Sequence, residues 1–182
     1  MAQAKHTLVA LVADRPGVLN RITSLFRRRG FNIESVTVGH SELPNYSRLN
    51  MVVDGTTTSV EQVRKQLDKV TDVVKVTDLS QENIVARELA LIKVHATATT
   101  RREIMDVAGA FRASVVDIAQ DTVIISITGE EDKIDVLLTL LKGFGIREVT
   151  RTGRIALIRG ELGPLAVEER SVRTKRPAKA PE

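Results

Sequence analysis

Cysteine is absent from the 182 residues. That removes disulfides, thiolate nucleophiles and thiolate metal sites together, and it suits a reducing compartment. Tryptophan is also absent, and aromatic residues make up only 3% of the chain. A core must therefore be built from Val, Ile and Leu. No run of 18 apolar residues occurs and the N-terminus has no apolar signal-peptide segment, so the sequence predicts a soluble, cytoplasmic protein with no membrane span. No GxGxxG or GxxxxGK[ST] loop precedes a predicted helix, which leaves no standard phosphate cradle. The only imidazoles are His6, His40 and His95. Their spacing does not suggest a metal site, and structural or surface roles are the default. The plentiful carboxylates, such as Glu130, Glu131 and Asp132, fall at helix starts, where a dipole role accounts for them. No nucleophile with a base in reach is evident, so catalysis by this chain is not expected.

Charge invites a nucleic-acid reading and then weakens it. The formal net charge is +4. Residues 170–182 carry Arg170, Arg173, Lys175, Arg176 and Lys179 against Glu182, which is already the whole excess. The body is neutral. The stretch 161–182, rich in Pro, Ala and Lys toward its end, lacks apolar periodicity and is expected to be a disordered basic tail.

What is present is a repeated pattern. Residues 6–13 read as a buried strand, followed by a turn and a helix over 16–29 with Val18, Leu19, Ile22, Leu25 and Phe26 at one-face spacing. Gly30 suits the helix stop, and Arg27, Arg28 and Arg29 complement the negative end of its dipole. Strands are predicted over 32–41 and 46–54, with a hairpin turn at 42–45. Ser59 is a candidate cap for a second helix bearing Val60, Val63, Leu67 and Val70, and 73–79 is a further strand. After a polar linker the order recurs: strand 87–96, a helix with Ile104, Val107, Ala108 and Phe111, a hairpin over 114–119 and 122–128, a helix over 130–142, and a last strand over 146–158 broken near Thr152 and Gly153. The fold class is thus α+β, two ferredoxin-like βαββαβ domains in tandem, near 1–79 and 84–160. Such a sheet binds RNA through stacked aromatics. The central strands of the first domain offer Tyr46 alone, so no nucleic-acid partner is expected.

The two halves share element order but not turn chemistry. Asp14-Arg15-Pro16-Gly17 opens the first helix, and TTRRE opens the corresponding helix of the second half. A strand that ends at a helix start presents free N–H groups, and the helix dipole favours a carboxylate there. Gly17 allows close approach to the backbone. Asp14 can take an ammonium group, and Val18 and Leu19 add apolar surface. That combination matches a zwitterionic amino acid. A plain helix start with a solvated Asp14 fits the same residues.

DRPGVLNRI followed by LFRRRGFNIESVTVG resembles the N-terminal ACT domain of the regulatory (small) subunit of acetolactate synthase, also called acetohydroxyacid synthase. YSRLNMVV, EQVRKQLDKVTDVVKVTDL, VARELALIKV and IREVTRTGRIALIRGE extend the resemblance over about residues 5–161. The resemblance implies a non-catalytic chain that binds a large catalytic subunit carrying thiamine diphosphate, FAD and magnesium. It implies activation of that subunit, feedback inhibition by branched-chain amino acids, chiefly valine, and homodimers through the ACT domains with the effector between two chains. Family positions that affect the valine response fall on Asp14, Gly17 and Asn32. The effector set is then Asp14, Arg15, Pro16, Gly17, Val18, Leu19, Asn32 and Ile33, with no cofactor, metal or catalytic residue in this chain. Relatives commonly have Asn where Asp14 stands; Asp keeps an acceptor, loses an amide donor and adds charge. A stand-alone ACT-domain amino-acid sensor shares the turn, but should lack the EVTRTGRIAL ending.

Overall fold

The computed structural model describes residues 5–55 and 60–160. The proposed helix cap Ser59 and the proposed disordered tail at 161–182 lie outside the described residues. The described chain forms two units, one of residues up to Val85 together with Ala156 onward, the other Ala86–Ile155.

The first unit runs β1 (Lys5–Ala13), α1 (Val18–Arg29), β2 (Ile33–His40), β3 (Tyr46–Asp54), α2 (Val60–Leu67) and β4 (Val73–Asp78). Its antiparallel sheet has the order β2-β3-β1-β4. β1 alternates in register with β3 from Lys5 opposite Asp54 to Ala13 opposite Tyr46. Leu8, Ala10 and Val12 of β1 and Leu49, Met51 and Val53 of β3 therefore share one face. Against it pack Val18, Ile22 and Phe26 of α1 and Val60, Val63 and Leu67 of α2. The aromatic shortage is visible here: among the described residues the one ring contact is Phe26 edge-on to Phe31, with centroids 5.6 Å apart. α2 stops at Leu67, earlier than the spacing of Val70 suggested; Val70 packs on the core from the turn into β4, donating to the Leu67 carbonyl.

The opposite face of this sheet is also buried, at Val9, Leu11, Asn50 and Val52. Part of its cover is the returning chain, where the Ala156 amide donates to Oδ1 of Asn50 at 3.2 Å. The Arg159 amide also donates to the Asn83 carbonyl at 2.8 Å.

The second unit takes in β5 (Ile84–His95) from Ala86 onward, then α3 (Arg101–Ala110), β6 (Ser114–Ile118), β7 (Thr122–Gly129), α4 (Glu131–Leu141) and β8 (Ile146–Arg151); from Ala156, within β9 (Ile155–Ile158), the chain belongs to the first unit again. The strand order is β6-β7-β5-β8, with β9 paired to β5. Ala90, Ile92 and Val94 meet Ile104 and Ala108 of α3 and Ile134, Leu137 and Leu141 of α4. The predicted α+β class with two βαββαβ patterns is the architecture found. The predicted break near Thr152 and Gly153 separates β8 from β9, and Gly153 has φ +84°, a conformation that favours glycine.

Candidate functional site

The turn between β1 and α1 differs from the expected one at a single point. Gly17 lies outside the helix at φ +87°, and α1 begins at Val18 rather than at Pro16. The left-handed glycine turns the chain before helical geometry starts. A Cβ at Gly17 would meet nothing within 4 Å, so this glycine is required by backbone conformation and not by crowding.

Three ties hold the turn. The Ala13 amide donates to the Asp72 carbonyl and the Asp14 amide to the Asn45 carbonyl, each at 2.8 Å. Asn45, at φ +67°, belongs to the β2–β3 hairpin. The third tie is ionic. The Asp72 carboxylate, 1% exposed, takes Nη2 of Arg15 on one oxygen and Nη1 of Arg21 on the other, the latter at 2.5 Å. Arg15 is therefore committed to a structural partner. Two guanidinium groups share one carboxylate, which leaves a net positive charge beside the helix start.

The amides at the start of α1 remain available. Among the described residues, those of Gly17, Leu19 and Asn20 make no hydrogen bond, and that of Val18 reaches the Arg15 carbonyl only at 3.5 Å. The first turn of α1 contains no acidic residue to offset the positive end of the dipole.

Beside the turn lies a cavity of about 90 Å³, lined by Val12, Ala13, Asp14, Arg15, Val18, Leu19, Ile22, Val38, Ser47 and Leu49. Asp14 supplies its anionic edge and the aliphatic chains its floor. Nδ1 of His40 lies 3.0 Å from Oδ2 of Asp14. Pockets that enclose a small molecule usually begin at about 300 Å³. This cavity is smaller than that.

Of the residues singled out from sequence, Asp14, Arg15, Val18 and Leu19 meet at the cavity, and Pro16 and Gly17 shape the turn next to it. Asn32 and Ile33 do not join them. Ile33 opposes Val53, whereas His40 opposes Ser47; the strand separates Asn32 from Asp14 by its full length, on the order of 25 Å. Sequence reasoning missed Val38, Ser47, Asp72 and His40. The hairpin prediction held the signal for three of them, Val38, His40 and Ser47, because it places the end of β2 and the start of β3 at the level of the β1 exit. Nothing in the local sequence marks Asp72.

Among the described residues no group of three or more His, Cys, Asp or Glu could hold a metal ion, and no helix is long and apolar enough to cross a membrane.

Comparison with known proteins bears on both units. Residues 8–75 match the family model of the AHAS small subunit-like ACT domain, and residues 87–160 match that of the small subunit of acetolactate synthase. The chain is 49% identical over 156 residues to a probable acetolactate synthase small subunit of Archaeoglobus fulgidus, covering 86% of this chain and 98% of that one. It is 51% identical over 158 residues to the acetolactate synthase small subunit of Bacillus subtilis, covering 86% and 91%. The crystal structure of the acetolactate synthase small subunit from Thermotoga maritima matches with a TM-score of 0.79 at 41% identity, over 87% of this chain and 99% of that one.

Proposed function

We propose, from the premise that this chain belongs to the acetolactate synthase small-subunit family, that it activates a separate catalytic large subunit and makes it sensitive to a branched-chain amino acid, chiefly valine. In this reading thiamine diphosphate, FAD and magnesium reside on the large subunit, and this chain contributes only regulation. The complex serves valine, leucine and isoleucine synthesis in the cytoplasm.

The observation that carries the effector half is the set of free amides at the start of α1, next to an anion and a mostly apolar cavity. The ligand's carboxylate meets the amides of Gly17, Leu19 and Asn20, at the positive end of α1 and near the surplus cation of Arg15 and Arg21. Its ammonium meets Asp14. Its branched side chain lies against Leu19 and Val38, both partly exposed in the single chain.

The size of the cavity argues for a second chain. β2 is an edge strand. An antiparallel pairing of β2 with β2 of another copy sets the Asn32 end of one chain beside the Asp14 end of the other, since the strand reverses. Asn32 and Ile33 of the second copy then complete the site. Inhibition follows if the effector binds one pairing geometry better than another, because only differential affinity shifts an equilibrium.

The test is acetolactate formation by the large subunit with and without this chain, and with increasing valine. Stimulation by the chain and its reversal by valine are expected. An unstimulated large subunit would overturn the regulatory reading.

A further inference from the structure

We propose that His40 sets the charge that Asp14 presents to the bound amino acid, through the 3.0 Å contact between Nδ1 of His40 and Oδ2 of Asp14, so that protonating His40 weakens effector binding. The inference rests on the effector reading above and adds a residue to that site.

His40 ends β2 next to the turn, opposite Ser47 of β3. Its side chain is 88% exposed and that of Asp14 is 43% exposed. The pair therefore stands at the rim of the cavity, where both groups reach solvent and the ring can swing aside. The other charged groups around it are matched. On the hairpin and β3, Glu42 is held by Arg48 at 2.6 Å. On the turn, α1 and the approach to β4, Arg15 and Arg21 both bind Asp72. The one phenol nearby is Tyr46, at the start of β3. Carboxylates, guanidinium groups and phenols keep their charge state around neutrality, whereas an imidazole changes it. The imidazole beside Asp14 is the ring of His40.

The consequence has a definite sign. An imidazolium and the ligand's ammonium are like charges competing for one carboxylate. The neutral ring leaves Asp14 as an anion for the ligand alone, and the protonated ring occupies it. His40 is a positioning residue here: it acts through Asp14. The contact is solvent-exposed, so the effect on affinity is modest, about two- to fivefold.

Calorimetric titration of L-valine into the full-length chain at about pH 6 and about pH 8 tests this, because an imidazole changes charge across that interval. The wild-type dissociation constant is expected to be about two- to fivefold weaker at the lower pH. His40→Gln should bind with the tighter constant at both values, and His40→Arg with the weaker constant at both. The ligand's own titration is common to all three proteins and cancels in their ratios. Wild-type pH dependence surviving in His40→Gln, or tighter wild-type binding at the lower pH, overturns the proposal and leaves the effector site standing. Absence of binding by the wild type at both pH values, with L-leucine and L-isoleucine also silent, overturns the effector reading and this proposal with it.

Discussion

Arg21 of α1 and Asp72, just before β4, are joined by a 2.5 Å contact although they stand 51 positions apart in the chain. The Asp72 side chain is 1% exposed, and that of Arg21 is 59% exposed. A carboxylate withdrawn from water is held by cations that remain in it, and Arg15 of the turn shares the same anchor. The pair connects the helix start to the last strand of the sheet.

Removing that anchor should loosen the turn. Asp72→Ala is expected to cost about 2 kcal/mol, the scale of charge-assisted hydrogen bonds whose cations can be rehydrated. Thermal unfolding reads the loss. Calorimetry with valine should show weakened binding as well, because the turn that presents the amides is no longer tied down.

Gly17→Asp places an anion at the amides proposed to take the ligand's carboxylate. Space exists for the side chain, so only the positive φ of Gly17 opposes it. The stability cost should be about 1 kcal/mol. Valine inhibition of the holoenzyme should disappear while stimulation of the large subunit persists. Retention of the wild-type valine response would move the site elsewhere.

Two defective chains should complement each other. If each site joins the turn of one chain to Asn32 of another, a mixed dimer of Gly17→Asp with Asn32→Glu contains one site with both lesions and one with neither. Co-expression of the two variants should restore part of the valine response that each lacks alone. A site contained within a single chain predicts no restoration.

The core of the first unit depends on few large side chains. Phe26 is buried and meets Phe31 edge to face. Phe26→Ala should destabilise by about 3–5 kcal/mol. Chemical denaturation with an unchanged slope would identify the effect as lost packing.

Acid should expose a smaller contribution on α2. The hydrogen bond from Arg64 holds the Glu61 carboxyl at about 2, below its ordinary 4.5. A lowered folded value means that the stabilisation is complete above the unfolded value and is lost as pH falls toward the folded one. The difference in Tm between wild type and Glu61→Gln should be largest near neutrality and close as pH falls below 4.5. Glu61 and Arg64 sit at the helix surface, so high salt should also shrink it.

Much of this protein is legible in the order of its residues. The periodicities of Val18, Ile22 and Phe26, and of Ile134, Leu137 and Leu141, specify helices with one buried face because burial of that face is what stabilises them. The strand β3 coincides with the predicted 46–54 because Asn45 and the residue pattern after it punctuate both ends. The turn at Asp14–Gly17 is equally local: a glycine at positive φ before a helix start creates free amides whatever the rest of the chain does. Tertiary structure alone decided what those amides face. Arg15 could have addressed a ligand, but long-range pairing gives it to Asp72, whose burial no local pattern announces. His40 acquires a role only because antiparallel register sets the end of β2 beside the exit of β1. The same register carries Asn32 to the far end of the strand. Sequence determines local conformation through short-range sterics and periodic burial, and only the pairing of distant strands determines which charges share a site.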